Sequence, residues 1–157
     1  MTVEIKEDIL KRLADTHRDL EEAIDGMDLE LVIHPETKWE IRDILGHIAT
    51  WDRVLIEAIN SYLSGSVFII PDMVGDETDY NETQVVAQRK IATSDLHAEW
   101  IQAREDFIET VGIIPPGKFS DQLDFPWGDE RGSLALMIEY MVEHNGEHQE
   151  EILKALT

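Results

Sequence analysis

A helical repeat of apolar side chains runs through residues 37–62, TKWEIRDILGHIATWDRVLIEAINSY. Its stripe comprises Ile41, Ile44, Ile48, Trp51, Leu55, Ala58 and Tyr62. Residues three and four apart lie on one face of an α-helix, so these side chains form one buried face. Thr37 and Glu40 match a capping box, in which each side chain bonds an otherwise unpaired backbone N–H. The stretch predicts an amphipathic helix that begins at this box and ends near Gly65.

Three further segments repeat apolar residues with helical spacing, and no convincing alternating strand pattern is visible. The first predicted helix spans about residues 3–25 and stops at Gly26. The third region spans about residues 81–111, with a break near Ser94, which would cap the longer second piece. The fourth begins after Ser133 and continues to the C-terminus. The sequence therefore predicts an all-α fold, an antiparallel four-helix bundle forming one domain over residues 1–157.

Two predicted connections, residues 66–80 and 112–132, are longer than a plain bundle needs. The first begins with an apolar run over residues 67–70, and the second holds two proline-containing turns. Loops of this length are often lids or interface elements.

The composition is strongly acidic, with 13 Lys and Arg against 34 Asp and Glu, a net charge of −21 and a pI near 4.4. Binding to nucleic acid or to anionic membranes depends on Lys and Arg, so neither is an expected partner. The chain has no Cys, which excludes disulfides and thiolate metal sites. The start of the chain is acidic rather than leader-like, and the longest apolar run is five residues, so a soluble cytoplasmic protein is expected.

Two histidines, His144 and His148, lie four residues apart in the fourth predicted helix and so project from the same face, one turn apart. They continue an apolar stripe formed by Leu134, Met137, Met141 and Ile152. Burying two imidazoles without partners would cost a few kcal/mol. The pair is therefore interpreted as metal ligands. The alternatives are core histidines bonded to carbonyls or carboxylates, or a solvated face on a rotated helix.

Gly146 lies between these histidines, and glycine costs roughly 1 kcal/mol relative to Ala inside a helix. One interpretation is that a neighbouring helix, metal or substrate approaches closely there. The competing one is that Asn145 and Gly146 break the helix.

A third metal ligand must come from elsewhere, and His47 is the candidate because it lies at the inner edge of the stripe over residues 41–62. The alternative interpretation of His47 is a hydrogen-bonded histidine on the flank of the bundle. His17 is the second choice, as a ligand, a pocket residue or a core histidine. His34 is expected in a loop and His97 on a helix surface.

Four carboxylates near the histidines in sequence, Asp43, Asp52, Glu143 and Glu147, could orient the imidazoles, although a solvated carboxylate is favoured for each in so acidic a chain. The string HNGEH also matches the H-x-x-E-H signature of inverzincin peptidases, with Glu147 as general base. That interpretation is set aside because only nine residues follow His148, too few for the further downstream ligand. Glu147 remains the candidate catalytic residue.

Taken in order, Trp39, the segment DILGHIATWD at residues 43–52, Tyr80 with Asn81, and the pair His144 and His148 resemble the DinB/YfiT-like superfamily over nearly the whole chain. The resemblance implies a four-helix bundle, commonly dimeric, in which His47, His144 and His148 hold a divalent metal such as nickel or zinc at one end. Some members lack these histidines, so the fold does not guarantee the site.

The resemblance points to several functions: thiol-dependent S-transfer, a mycothiol-dependent isomerisation, metal-dependent hydrolysis, and protection against reactive small molecules. Three neutral imidazoles leave a divalent ion its full charge and an open position, an arrangement that activates water or thiol. The expected function is a metal-dependent enzyme that acts on a small organic molecule by hydrolysis or by thiol S-transfer, with a low-molecular-weight thiol as the second reactant in the transfer. The alternatives are a non-catalytic metal-binding or sequestering stress protein and a metal-free ligand-binding bundle.

Aromatic residues could form an apolar mouth for the substrate, and each is otherwise explained by packing; they are Trp39, Trp51, Tyr80, Phe125 and Trp127. A homodimer is expected from the family resemblance and from the apolar segment at residues 67–70.

Overall fold

The computed structural model describes residues 2–71, 73 and 77–156. Its helices are α1 (Thr2–Ile24), α2 (Ile41–Leu63), α3 (Glu77–Gln88), α4 (Thr93–Gly112) and α5 (Leu134–Ala155). A short 3-10 helix at Pro116–Lys118 precedes two strands, β1 (Gln122–Asp124) and β2 (Arg131–Ser133). The predominantly helical fold is as predicted. None of the helices in these described ranges is long and apolar enough to cross a membrane.

The start of α2 differs from the prediction. Lys38 has a φ of 65°, a left-handed conformation that cannot continue a right-handed helix, so Thr37 is not the cap. The Thr37 hydroxyl instead accepts a bond from the Trp39 N–H, 3.3 Å away. The capping residue is Glu40, whose backbone N–H donates to the Asp43 carboxylate at 2.8 Å. A capping box is present, but it lies three residues further along the chain.

The four long helices pack in two main pairs, α2 against α4 and α1 against α5, and contacts of α1 with α4 and of α2 with α5 link the pairs. The short helix α3 covers α2. One apolar cluster surrounds Leu55 and Phe107, and a second surrounds Ile44 and Trp100. The apolar stripe predicted for α2 accounts for this packing, because Ile41, Ile44, Ile48 and Leu55 are fully buried.

Helix α5 is continuous through Asn145 and Gly146, so the predicted alternative of a broken helix is wrong. The interpretation that a neighbouring helix approaches Gly146 closely is also wrong, because a methyl group placed there would meet no protein atom of another element within 4 Å. At the other end, the Ser133 hydroxyl caps the helix by accepting a bond from the Leu136 N–H at 3.1 Å. This start agrees with the prediction.

The third predicted region is broken as expected, between α3 and α4, but the break lies slightly earlier than Ser94. Ala92 occupies the capping position and α4 begins at Thr93. Each of the two long predicted connections contains some secondary structure. The second contains the hairpin of β1 and β2, which the sequence did not reveal because three residues are too few to show an alternating pattern. The backbone N–H of Ile70, in the first connection, bonds the Pro126 carbonyl in the second at 2.8 Å.

Candidate metal centre

Three imidazoles from two helices meet at one point. His47 lies on α2, and His144 and His148 lie one turn apart on α5. The Nε2 atom of His144 is 2.9 Å from that of His47 and 2.8 Å from that of His148. One nitrogen from each of the three rings lies within 4.8 Å of the other two. Residues four apart on α5 thus meet the inner edge of α2, as the sequence predicts.

Glu151, one turn beyond His148, fixes the orientation of that ring. Its carboxylate Oε2 lies 3.1 Å from His148 Nδ1 and 2.8 Å from His34 Nε2. A carboxylate accepts only, so the proton of His148 resides on Nδ1 and its Nε2 presents a lone pair to the other two rings. Both hydrogen bonds hold the pKa of Glu151 at about 2, the bond from His148 contributing most.

Burial keeps the other two rings neutral. It lowers the pKa of His47 to about 3, and the neighbouring His148 acts in the same direction. Burial likewise lowers the pKa of His144 well below its ordinary value, with smaller effects from His148 and His47. A neutral imidazole keeps one nitrogen lone pair for a metal ion, so both rings are ligand-competent at neutral pH.

Hydrogen bonds alone do not satisfy these nitrogens. The His148 proton is already donated to Glu151. A proton on His144 Nε2 can be donated to the Nε2 of His47 or to the Nε2 of His148, but not to both at the same time. The remaining lone pair then faces other lone pairs in a buried site. The Nδ1 atom of His144 is also buried, with no hydrogen-bond partner among the described residues. A cation bound by the three Nε2 lone pairs resolves the conflict between them, so the donor set fits a divalent metal. The His144 proton would then lie on Nδ1, which gains no partner from the cation.

A buried polar network lies behind the histidines. Arg104 of α4 donates to both carboxylate oxygens of Asp52, at 2.9 and 3.0 Å, and to the side-chain oxygen of Asn145 at 3.0 Å. All three residues are at most 1% exposed. Burial raises the pKa of Asp52, and the Arg104 charge opposes that rise. The network ties α2, α4 and α5 together directly next to His144.

A cavity of about 250 Å³ opens beside the centre, and His144 is one of its walls. The aromatic side chains in its lining are Trp51, Trp127 and Tyr140. The acidic side chains are Glu77, Glu130, Glu143 and Glu147. His144, one of the three converging histidines, therefore faces a space into which a small molecule fits.

The other residues singled out from the sequence lie elsewhere. His17 packs against Trp100 with its ring tilted by 42° and the ring centroids 4.3 Å apart, and it is not one of the three converging rings. Trp39 packs between His34 and His47, at 5.6 and 5.3 Å, and its Nε1–H donates to Glu82. Tyr80 contacts Trp51, with ring centroids 5.7 Å apart, but it lines a separate groove rather than this cavity.

Phe125 is fully buried in the larger apolar cluster, and His97 lies on α4 with its ring 5.7 Å from that of Trp100. His34 is in a loop, as expected, but its bond to Glu151 links it to the centre.

The favoured expectation that four carboxylates are solvated is wrong for two of them. Asp43 and Asp52 are completely buried, the first as the capping partner of α2 and the second as the partner of Arg104. Glu143 and Glu147 are exposed on α5, facing the cavity. Glu151 was missed, although its position three residues after His148 places it on the same helical face and was a usable signal.

Comparisons with known proteins agree with this architecture. A family model, described as the DinB superfamily, matches residues 12–152 of the chain. A crystal structure of a Streptococcus pneumoniae protein from a structural genomics consortium superposes with a TM-score of 0.77. The two chains are 12% identical, and the match covers 95% of this chain and 88% of the other, so the similarity concerns the fold. No curated protein matches this chain.

Proposed function

The chain belongs to the DinB superfamily, and we propose that it binds one divalent metal ion, nickel or zinc, through His47, His144 and His148. We further propose that it uses this ion to hydrolyse a small organic molecule held in the adjacent cavity. One observation carries the proposal: the three Nε2 atoms converge where hydrogen bonds cannot satisfy them, and one of the three rings also lines the cavity.

When bound, a divalent ion supplies Lewis acidity, which makes a water molecule or a thiol nucleophilic at neutral pH. The chain's own residues supply the rest of the chemistry. Glu147 lines the cavity with His144, and its exposed carboxylate can accept the proton that an attacking water loses. Trp51 and Trp127 line the same space and provide apolar contact surface for the substrate.

Hydrolysis is preferred over thiol S-transfer because a carboxylate base is available in the cavity and water needs no second binding site. Thiol transfer remains the runner-up, since a thiol would be activated at the same position.

The proposal also includes the arrangement and location of the protein: the four long helices form an antiparallel bundle, and the protein acts in the cytoplasm as a homodimer.

The test is turnover of a neutral small ester, p-nitrophenyl acetate, by protein reloaded with zinc or nickel. We expect release of nitrophenol that disappears on chelation and returns when the metal is restored. In the variant Glu147→Gln, turnover should fall about 100-fold while metal content stays unchanged. The control Glu150→Gln removes an exposed carboxylate from the same helix outside the cavity lining and should retain full turnover.

Each outcome discriminates between the candidate functions. Turnover that requires an added thiol would replace hydrolysis by S-transfer. Stoichiometric metal binding with no turnover of neutral or charged esters, with or without thiol, would favour a non-catalytic metal-binding protein. Turnover unaffected by chelation would contradict the metal-dependent mechanism.

A further inference from the structure

We propose that the cavity beside the metal centre selects a small organic cation, a substrate that carries an ammonium group. This inference rests on the proposed function insofar as the cavity is the place where a substrate meets the metal. The binding preference itself follows from the walls of the cavity, and it can be measured without turnover.

Three aromatic rings form part of these walls. The centroid of Trp127 lies 6.1 Å from that of Trp51 and 5.9 Å from that of Tyr140, so the rings are neighbours around one space. Their interplanar angles of 69° and 47° show that they do not stack flat on each other. Several rings tilted around one space form the type of aromatic cage that recognises alkylated ammonium groups, and Trp is the best cation–π partner.

Hydrogen bonds hold each ring in position before any ligand arrives. Glu130 accepts bonds from Trp127 Nε1–H at 3.0 Å and from the Tyr140 hydroxyl at 2.5 Å, one on each carboxylate oxygen. The Nε1–H of Trp51 donates to Asn81 at 2.8 Å. The polar edges of all three side chains are thereby satisfied by protein groups. Trp51 is only 4% exposed, so the half-buried rings of Trp127 and Tyr140 offer most of the aromatic surface that a ligand can contact. Because the rings are already held in place, little conformational entropy is lost when a ligand binds.

The charge of the lining points to the same ligand class. Four carboxylates line the cavity, from Glu77, Glu130, Glu143 and Glu147, and no Lys or Arg belongs to its described lining. Acidic groups cover much of this protein, but the neighbouring groove near Tyr80 includes Arg53, and another groove on α1 includes Arg18. A divalent ion at the histidines would offset only half of the four negative charges. The electrostatic field in the cavity therefore favours cations both with and without a bound metal ion.

Aromatic walls alone would accept a neutral apolar molecule, and carboxylates alone would accept any hydrated cation. Their combination around about 250 Å³ selects a group that is both apolar on its surface and positively charged. Anionic substrates, including thiols that carry several carboxylates, are disfavoured by the same walls.

The experiment compares two molecules of nearly identical shape. Choline carries a trimethylammonium group, and 3,3-dimethylbutan-1-ol replaces its nitrogen with carbon and is neutral. Binding is measured by calorimetry with zinc-loaded protein and with chelator-treated protein, at low and at high salt. We expect choline to bind at least tenfold more tightly than the neutral alcohol in both metal states, with the preference reduced by salt. Equal affinities for the two molecules would overturn the proposal.

Two double variants assign the preference to the cavity. In Glu143→Gln/Glu147→Gln the preference for choline should fall by about threefold or more, because half of the lining charge is removed. The matched control Glu105→Gln/Glu150→Gln removes two exposed charges from residues of α4 and α5 outside the lining and should keep the full preference. An equal loss in both double variants would mean that the overall charge of the protein acts, and would contradict a specific site.

Failure of this inference and failure of the proposed function are distinguishable. Zinc binding to the three histidines with no preference for choline would overturn the cation site and leave the metal centre intact. A preference for choline in protein that binds no metal would retain the cation site and refute the metal-dependent function.

Discussion

Glu151 holds the His148 ring by a hydrogen bond of 3.1 Å from Nδ1 to its carboxylate, and so directs Nε2 towards His47 and His144. The same carboxylate oxygen also bonds His34 Nε2 at 2.8 Å, which holds the carboxylate in place. The orientation of one of the three converging histidines is thus determined by a residue that does not itself belong to the cluster.

Removing the charge of Glu151 should weaken metal binding. Carboxylates that bond the distal nitrogen of a ligating histidine typically contribute 10- to 100-fold to metal affinity. We expect Glu151→Gln to bind zinc about tenfold more weakly than the wild type in competition titrations with a chelator, and Glu151→Ala to be weaker still. Glu150→Gln, one residue away, is the control and should match the wild type. Unchanged zinc affinity in both Glu151 variants would rule out the positioning role.

The pair Arg104 and Asp52 should dominate the stability of the core around the centre. Arg104→Met leaves the fully buried Asp52 carboxylate without its cation, and breaking a buried pair in this way costs about 3–5 kcal/mol. Urea denaturation with chelator present should show this loss. Arg53→Met breaks two ion pairs, with Glu99 and with Asp106, in which the Arg53 side chain is 41% exposed, and should cost less than about 1 kcal/mol for each pair. Similar losses in the two variants would contradict the buried network.

His17 should make the protein acid-sensitive. Burial, followed by the charge of Arg104, lowers the pKa of His17 to about 4 in the folded protein. The unfolded chain binds a proton near the ordinary value of about 6.5, so the unfolded state gains protons first as pH falls. The contribution of neutral His17 to the free energy of unfolding is therefore fully present above about pH 6.5 and is lost as the pH falls from there to about 4.

Comparing the wild type with His17→Phe isolates this effect. In metal-free protein, the free energy of unfolding of the wild type should drop relative to that of the variant by up to about 3 kcal/mol between pH 7.5 and pH 4. Other buried histidines titrate equally in both proteins and cancel. A difference that does not change with pH would show that His17 keeps its ordinary pKa.

Gly146→Ala should stabilise the protein. Gly146 is exposed within a continuous helix, and a methyl group there meets no neighbour within 4 Å, so the substitution should add about 0.5–1 kcal/mol. Zinc affinity should not change. Gly46→Ala is the contrasting variant, because its methyl group would lie 2.4 Å from Gln88 Oε1 and 3.0 Å from Leu96 Cδ1. Gln88 could move away only by giving up its hydrogen bonds to the Gly46 carbonyl and to Thr50, which should lower the melting temperature. Destabilisation by Gly146→Ala would indicate a contact at that position.

The long helices and the inward positions of the three histidines follow from periodicity, and the family resemblance supported His47 over its alternatives. His144 and His148 replace apolar residues on the buried stripe of α5, and His47 does so at the edge of α2. The features that the sequence did not predict depend on contacts between segments that are distant along the chain. Arg104 and Asp52 lie 52 residues apart on different helices, and neither position signals its partner. The start of α2 was misplaced because the left-handed Lys38 has no distinct sequence signature.

The most direct test of the metal centre is the metal content of protein purified without a histidine tag, measured by elemental analysis after incubation with zinc or nickel. We predict about one ion per chain for the wild type and for His97→Ala, whose imidazole lies outside the cluster. We predict less than about a tenth of an ion for His144→Ala, provided that its circular dichroism shows the helices intact. A His144→Ala protein that is folded and carries as much metal as the wild type would contradict the account.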